Sequence, residues 1–239
     1  MMENKTAIVT GASSGIGEAI ARGLSARGAR LILTARRGER LEKLAEELGG
    51  EIAIHVADIA DPATPGALLA LARARFGQAD MLINNAGILR VGTVESFDLD
   101  ALEPMIATNY TAVVRCSILF ARDMQSRRQG SIVNISSIGA HLTAAGSGIY
   151  GGLKRALETF TDTLRIELAA SGIRVGLVAP GTTGTEIFDD MKRKGATGWD
   201  EYTPPLMPED VARAVIYLLD QPPRANVARV HVYASGESF

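Results

Sequence analysis

The sequence predicts an α/β fold: a doubly wound, mostly seven-stranded parallel sheet with helices on both faces. Short apolar runs alternate with helical patterns along the whole chain of 239 residues, and a glycine-rich turn joins the first run to the first helical pattern. No internal repeat or linker interrupts this alternation. Such alternation is typical of right-handed βαβ units that share one sheet. We therefore expect a single domain over residues 1–239.

Seven runs are expected to form the strands. Each is short and apolar and is bounded by glycine, proline or polar residues, as buried parallel strands are. The runs cover residues 6–9, 29–34, 51–57, 79–83, 130–136, 173–178 and 227–232.

Helical patterns lie between the strands, and the second of them places Leu41, Leu44, Ala45 and Leu48 on one face and charges on the other. In the third pattern, Asp61 is expected to be the N-cap and Pro62 the first helical residue, a position where proline is tolerated. The region at about 180–207 is rich in glycine, threonine and proline, and its weak helical content indicates a loop. The helical patterns cover residues 18–27, 37–48, 62–75, 99–125, 147–170 and, from residue 208, the stretch that Pro222 closes.

Composition argues against several kinds of partner. The chain has a formal net charge of −2 and is 46% hydrophobic, a balance without an electrostatic footprint for nucleic acid or an anionic membrane. No window approaches the ~18 consecutive apolar residues of a membrane span. The amino terminus enters the first strand without an apolar signal segment. We expect a cytoplasmic protein with no nucleic-acid or membrane partner.

Cysteine and histidine usage gives no sign of a metal site. Cys116 is the single cysteine and falls in an apolar helical stretch, which favours a packed thiol over a nucleophile. His55, His141 and His231 are scattered along the chain, with no cysteine or carboxylate at ligand spacing. We expect no bound metal.

The turn after the first strand has glycines at 11, 15 and 17. Glycine allows unusual backbone angles and lets a ligand come close to the main chain, and the start of the following helix favours a phosphate. The spacing G-x-x-x-G-x-G differs from the dinucleotide fingerprint G-x-G-x-x-G. Spacing alone therefore leaves an ordinary βα turn as an alternative.

Tyr150 and Lys154 lie four residues apart at the start of a helical pattern, so they share one face. A tyrosine that exchanges a proton near neutral pH must lose about three units from its ordinary pKa near 10, or about 4 kcal/mol. A cation about 4 Å away supplies energy of that order at an effective dielectric constant of about 20. Taken alone, the pair favours a surface contact on a helix, because this short motif is weak.

Together these motifs resemble the short-chain dehydrogenase/reductase family, of the single-domain short type, over essentially the whole chain. The resemblance implies a Rossmann-like fold, and the three-residue gap in the glycine turn is the family's own form. The matching motifs, in the family's order, are T-G-x-x-x-G-x-G at 10–17, N-N-A-G at 84–87, asparagine at 109, serine at 137, Y-x-x-x-K at 150–154 and P-G-x-x-x-T at 180–185.

The resemblance implies four catalytic residues. Tyr150 would be the general acid in reduction and the base in oxidation. Lys154 would lower the tyrosine pKa and bind the nicotinamide ribose. Ser137 would donate to the substrate carbonyl oxygen as charge develops there. Asn109 would hold a water that links Lys154 to solvent.

The resemblance also implies a nicotinamide cofactor site. Asp58 and Ile59 would meet the adenine ring, Asn85 would lie along the adenine ribose, and Thr185 would lie near the diphosphate. The backbone around 180–182 would position the nicotinamide amide. The complete expected set is Gly11, Ser13, Ser14, Gly15, Ile16, Gly17, Arg36, Arg37, Asp58, Ile59, Asn85, Ala86, Gly87, Tyr150, Lys154, Pro180, Gly181, Thr182, Thr183 and Thr185.

The end of the second strand predicts which nicotinamide cofactor binds. Enzymes that prefer NAD place an acid there for the ribose 2′-hydroxyl, but residues 34–37 read T-A-R-R and the first carboxylate is Glu39. Guanidinium groups suit a 2′-phosphate. Arg36 and Arg37 therefore predict NADP(H), and family members with this pattern share that preference.

Substrate choice is expected to lie with residues 88–97, 138–149 and 182–207. Four large side chains in the last range, at Phe188, Met191, Trp199 and Tyr202, predict a moderately apolar pocket. The basic run 192–194 is interpreted as a solvated helix face. Two features depart from the family pattern: glycines at 151–152 follow the tyrosine, and the carboxyl end at 232–237 is more similar to a subset acting on hydroxy acids, amino-acid alcohols and general carbonyls.

Three functions are considered. The leading one is an NADP-dependent carbonyl reductase or alcohol dehydrogenase acting on a ketone, aldehyde or hydroxy acid. A non-catalytic NADPH-binding regulator would have lost Tyr150, Lys154 or Ser137, and a lyase such as a halohydrin dehalogenase would lack the glycine turn and replace the lysine by arginine. The long helical patterns at 99–125 and 147–170 resemble the family's subunit contacts, so a homotetramer or homodimer is expected.

Overall fold

The computed structural model describes residues 2–193, 198–201 and 204–238. Its strands form one parallel sheet in the order β3-β2-β1-β4-β5-β6-β7, which confirms the predicted fold class. The strands are β1 (Thr6–Thr10), β2 (Arg30–Ala35), β3 (Ile52–Val56), β4 (Met81–Asn84), β5 (Gly130–Ile135), β6 (Ile173–Pro180) and β7 (Arg229–Val232).

Helices cover both faces of the sheet. Alternate side chains of β1 point to opposite sides, so Val9 packs with α1, α2 and α8 while Ile8 packs with α3, α5 and α6. The helices are α1 (Gly15–Ser25), α2 (Gly38–Leu48), α3 (Thr64–Phe76), α4 (Leu102–Ile106), α5 (Ala112–Arg127), α6 (Gly148–Glu167), α7 (Asp189–Arg193) and α8 (Pro208–Leu219).

The predicted start of the third helix is wrong. Helix α3 begins at Thr64, with Ala63 as its N-cap and Pro65 in its first turn. The Asp61 carboxylate instead accepts a hydrogen bond from the Ala63 N–H at 2.8 Å. Asp61 and Pro62 therefore belong to the turn before the helix, because the aspartate side chain stabilises that turn by bonding two residues ahead.

The predicted helix over 99–125 is interrupted. A 3₁₀ turn at Leu99–Ala101 leads into α4, and a π-helical turn at Ala107–Thr111 separates α4 from α5. Single π turns occur frequently at functional sites. This one contains Asn109, which is fully buried.

A buried polar network joins the central strands to the helices that carry the candidate site. Asn84 Nδ2 donates to Asn134 Oδ1 at 2.8 Å and to Ser117 Oγ at 3.0 Å, and Asn134 Nδ2 donates to Thr161 Oγ1 at 2.9 Å. These bonds link β4 and β5 to α5 and α6. Because each buried polar atom is costly to leave unpaired, the network holds the helices in one position against the sheet.

In the part of the chain that the structure describes, every helix is too short or too polar to cross a membrane.

Candidate active site and cofactor cleft

A cavity of about 930 Å³ opens at the carboxyl ends of the strands. This is where ligands bind in open parallel sheets, beside the point at which the strand order reverses between β1 and β4. Every residue of the predicted catalytic and cofactor set lines this cavity except Gly17 and Asn109. Those two lie behind its wall, where each shapes the backbone that the cavity exposes.

The glycine turn requires its glycines for steric reasons. Gly11 and Gly15 have φ angles of +66° and +56°, a region that favours glycine. A Cβ on Gly17 would lie 2.2 Å from the Gly11 carbonyl oxygen, and one on Gly15 would lie 2.9 Å from Thr185 Cγ2. The turn is thus a close-packed cradle that opens on backbone at the start of α1, which fits a diphosphate.

Thr10 and Asn85 lock this turn to the segment after β4. The Thr10 hydroxyl accepts hydrogen bonds from the backbone N–H groups of Asn85 and Ala86, both at 3.0 Å. Asn85 Nδ2 donates to the Thr10 and Gly11 carbonyl oxygens at 2.9 and 3.3 Å. Asn85 therefore stabilises the cradle itself, and its predicted contact with the adenine ribose stays a prediction.

Arg36 and Arg37 follow β2 and lie at the end of the cavity that the glycine turn borders. Arg37 is held by Ser13 and Ser14: its Nε donates to Ser13 Oγ at 3.2 Å and its Nη2 donates to Ser14 Oγ at 2.5 Å. Arg36 is exposed and also lines the cavity. Asp58 and Ile59, after β3, line the neighbouring wall, where the Asp58 carboxylate accepts from the Ala60 N–H at 2.9 Å.

The predicted catalytic side chains converge at the opposite end. Tyr150 and Lys154 occupy one face of α6 and are both buried, and Ser137 follows β5. The Ser137 side chain lies beside the Tyr150 hydroxyl, where it acts to lower the tyrosine pKa. Lys154 Nζ donates to the Ile135 carbonyl oxygen at 2.9 Å and lies 5.7 Å from the centroid of the Tyr150 ring.

The electrostatics of this group differ from the prediction. Burial raises the pKa of Tyr150 to about 12, against a smaller lowering by Ser137, and burial lowers the pKa of Lys154 to about 8. We expected Lys154, helped by an oxidised nicotinamide ring, to lower the tyrosine pKa. Instead its ammonium lies over the ring and is directed to the Ile135 carbonyl, so desolvation dominates.

The buried ammonium predicts a specific pH dependence of stability. Its pKa is lowered from 10.5 to about 8 in the folded chain, so between these values the unfolded chain binds more protons and stability rises with pH. Below pH 8 folding carries a cost of about 3 kcal/mol for this group. The stability of a Lys154→Met variant relative to wild type should therefore fall by about that amount between pH 7.5 and 10.5.

Urea unfolding across that pH range measures the difference. Lys43→Met is the matched control, since the Lys43 side chain is 78% exposed. A Lys154→Met difference that does not vary with pH would show that the ammonium is solvated in the folded chain.

Asn109 holds the backbone beside Lys154. Its Oδ1 accepts from the Ile88 N–H at 3.0 Å and its Nδ2 donates to the Ile88 carbonyl at 2.8 Å. A Cβ on Gly87 would lie 2.9 Å from the same Oδ1 and 3.8 Å from Lys154 Nζ. The asparagine thus shapes the wall next to the lysine, and its predicted water stays a prediction.

Glu237 is a candidate site residue that sequence reasoning missed. Its Oε1 accepts from the Thr182 N–H at 2.7 Å and its Oε2 from the Ala234 N–H at 2.9 Å, while the Gly181 N–H donates to the Val232 carbonyl at 2.7 Å. The carboxyl-terminal tail therefore fixes the loop after β6. The sequence at 232–237, which departs from the family pattern, was the available signal. No neighbouring residue indicated that Glu237 would contact the backbone of Thr182.

We expect Glu237→Ala to weaken NADPH binding about three- to ten-fold, because two backbone donors lose a charged acceptor in a half-buried place. Glu237→Gln keeps one acceptor and should retain most of the affinity. Fluorescence titration with NADPH measures both, with Ser238→Ala, the next and exposed residue, as the control. Equal affinity in all variants would show that the tail does not position the loop.

The other end of the cavity is partly apolar, as predicted. Phe188 and Trp199 line it with ring centroids 6.0 Å apart, whereas Met191 is buried beneath and does not line it. Tyr202 and Lys194 lie outside the described residues. Of the basic run, Lys192 pairs with Asp200 and Glu201 at the surface. Arg193 borders the cavity, but its side chain is 70% exposed and pairs with Asp190, in agreement with the predicted solvated face.

Gly151 has a steric role. A Cβ there would lie 2.7 Å from the Gly139 carbonyl oxygen, so the glycine lets the first turn of α6 approach the backbone that follows Ser137. Nothing in the structure explains Gly152, whose Cβ would meet no atom within 4 Å.

Two of the three histidines meet although they are far apart in sequence. The His141 and His231 rings lie with centroids 5.3 Å apart, and His141 Nε2 is 2.8 Å from the buried Glu158 carboxylate. Among residues 2–193, 198–201 and 204–238, the structure shows no group of three or more histidine, cysteine, aspartate or glutamate side chains placed to hold a metal. Cys116 is buried and burial raises its pKa to about 12, as expected for a packed thiol.

Known proteins match this chain over its full length. An uncharacterized oxidoreductase of Staphylococcus saprophyticus is 34% identical over 243 residues, which cover 100% of this chain and 99% of that protein. A probable NADP-dependent dehydrogenase of Haemophilus influenzae is 36% identical over 244 residues, covering 100% and 96%.

Solved structures agree with this result. The closed form of serine dehydrogenase complexed with NADP⁺ superposes with a TM-score of 0.91 at 31% identity, covering 98% of this chain and 96% of that one. A metagenomic short-chain oxidoreductase in complex with NADP has a TM-score of 0.84 at 30% identity, covering 99% of both. A family model described as short chain dehydrogenase matches residues 5–195. With the glycine turn, Ser137, Tyr150 and Lys154 assembled around one cavity, the chain belongs to the short-chain dehydrogenase/reductase family.

Proposed function

We propose that this oxidoreductase transfers a hydride between NADP(H) and a carbonyl or secondary alcohol of the ketone, aldehyde or hydroxy-acid class. The observation that carries the proposal is the adjacent pair of hydroxyls, Ser137 and Tyr150, which both line the cleft. Both hydroxyls can reach one substrate oxygen, which is the arrangement needed to polarise and protonate a carbonyl.

Each residue has a distinct part in this reaction. The bound nicotinamide supplies or accepts the hydride, and its oxidised ring adds a positive charge that favours the phenolate. Tyr150 transfers the proton at its hydroxyl oxygen, and Ser137 donates to the substrate oxygen as negative charge develops. Lys154 would bind the nicotinamide ribose and supply a cation behind the tyrosine, since its Nζ lies 5.7 Å from the centroid of the Tyr150 ring.

Arg37 supports NADP(H) over NAD(H). The Ser13, Ser14 and Arg37 side chains form a cluster where the second strand ends, with no carboxylate on that strand end to accept a ribose 2′-hydroxyl. The relatives described as NADP-dependent or bound to NADP support the same preference. We propose that NADP(H) and the substrate bind in a single domain over residues 1–239, with the loop at about 180–207 closing the substrate end of the cleft.

Steady-state kinetics with both cofactors test the proposal. Purified protein is screened against ketones, aldehydes and hydroxy acids by NADPH absorbance, and kcat/KM for the best substrate is compared between NADPH and NADH. We expect NADPH to be favoured by at least about ten-fold, since a 2′-phosphate paired with a guanidinium is worth about 1.4 kcal/mol or more. A kcat/KM that favours NADH would refute the cofactor assignment.

A non-catalytic NADPH-binding regulator on the same fold remains the second candidate. It would bind NADPH and turn over none of the compounds in the screen. The presence of Ser137, Tyr150 and Lys154 together on the cavity wall disfavours it, because a regulator has no use for a proton-transfer group.

We also propose a cytoplasmic homotetramer or homodimer. The exposed apolar side chains of Leu99 and Ile166, 76% and 64% exposed, support contacts through the two long helical regions.

A further inference from the structure

Glu186 crosses from the loop after β6 to the arginines after β2. Its Oε2 lies 2.6 Å from Arg37 Nη1 and its Oε1 lies 2.7 Å from Arg40 Nη1. The carboxylate thus pairs with two guanidinium groups at once, 149 and 146 positions away in the sequence. The two arginines hold the pKa of Glu186 down at about 2, so it is anionic throughout the working range.

The Arg37 guanidinium therefore makes two sets of hydrogen bonds. One edge of its guanidinium donates to Ser13 and Ser14 of the glycine turn, and Nη1 donates to Glu186. A carboxylate and a phosphate monoester use the same guanidinium donors in the same planar geometry. An anion that approaches Arg37 from the cleft must therefore share or displace the Glu186 carboxylate.

The segment that carries Glu186 also borders the rest of the cleft. Thr185 packs against Gly15 of the glycine turn, since a Cβ on Gly15 would lie 2.9 Å from Thr185 Cγ2. Phe188, two residues beyond Glu186, lines the other end of the cavity. One short segment thus contacts the arginines, the glycine cradle and the substrate end.

We propose that Glu186 is an internal competitor for the 2′-phosphate subsite, so that NADP(H) binds by taking Arg37 from this carboxylate. The inference rests on the proposed preference for NADP(H) and adds a residue that sets its strength.

The test compares binding, without turnover, in wild type and Glu186→Gln. The variant keeps the side-chain shape and removes the charge that opposes a phosphate. Dissociation constants are measured by fluorescence titration for NADPH and NADH, and by calorimetry for adenosine 2′,5′-bisphosphate and 5′-AMP. We expect the variant to bind NADPH and the bisphosphate about three- to ten-fold more tightly and to change NADH and 5′-AMP less than two-fold.

Glu42→Gln is the matched control, because Glu42 is exposed on α2, the helix that also carries Arg40. It removes the same charge without the contact and should leave all four constants within two-fold. If Glu186→Gln leaves NADPH and bisphosphate affinity unchanged, or weakens it, the competition does not exist and the carboxylate only orients Arg37.

The outcome also separates this inference from the proposed function. A wild type that binds NADPH no better than NADH, beside a Glu186→Gln variant that prefers NADPH, supports the competition and refutes the cofactor assignment. A wild type that prefers NADPH with no change on substitution refutes the competition alone. Absence of a preference in both proteins refutes both.

Discussion

Replacing Tyr150 with phenylalanine should lower kcat by about 10²–10⁴-fold, the range that positioned proton transfer contributes, and should leave the NADPH dissociation constant almost unchanged. The substitution removes one hydroxyl from a buried ring that is 6% exposed. Its partner Ser137 keeps a hydrogen bond with the Gly139 N–H at 3.1 Å, so the loop after β5 should stay in place. The loss is therefore expected in the chemical step, and steady-state kinetics beside a fluorescence titration measure the two effects separately.

Tyr217→Phe is the control for this experiment. Tyr217 lies on α8 with 55% of its surface exposed, away from the cavity, and its substitution should change neither constant. Undiminished reduction by Tyr150→Phe would refute the proposed mechanism. Lost NADPH binding in that variant would instead indicate that the phenol supports the cofactor pocket.

Replacing Gly17 with alanine should abolish NADPH binding at millimolar cofactor and lower the free energy of unfolding by about 1–3 kcal/mol, as overpacked sites do. The new Cβ would lie 2.2 Å from the Gly11 carbonyl oxygen and 2.5 Å from Asn85 Nδ2. The Gly11 carbonyl belongs to the backbone, so it cannot move away from the new Cβ as the end of a flexible side chain would. The turn must therefore open, and the phosphate cradle opens with it.

Gly66→Ala provides the matched control, since a Cβ at this position in α3 meets no atom within 4 Å. It should raise stability by about 0.5–1 kcal/mol through helix propensity and leave NADPH binding intact. Chemical unfolding and NADPH titration of both variants complete the comparison. Normal cofactor affinity in Gly17→Ala would show that the turn does not form the phosphate site.

Local patterns predicted the elements well because each depends on neighbouring residues. Apolar runs identified all seven strands, and the i, i+4 spacing correctly placed Tyr150 and Lys154 on one helix face. The start of α3 was wrong because Asp61 can stabilise either a helix or a turn by bonding two or three residues ahead. The π turn at 107–111 was not predicted, since it accompanies the pairing of Asn109 with the distant Ile88 backbone.

The sequence by itself determined the fold class, the position of the cleft at the carboxyl ends of the strands and nearly all of its lining. The fold class and the position of the cleft follow from periodicity, glycine spacing and the topology that alternating elements impose, and the lining follows from the resemblance of the motifs to the family. Only the tertiary structure decided the direction of the Tyr150 pKa, the role of Glu237 and the ion pairs of Glu186. Burial and pairing depend on which distant segments meet, and Arg37 and Glu186 are brought together by the sheet across 149 positions.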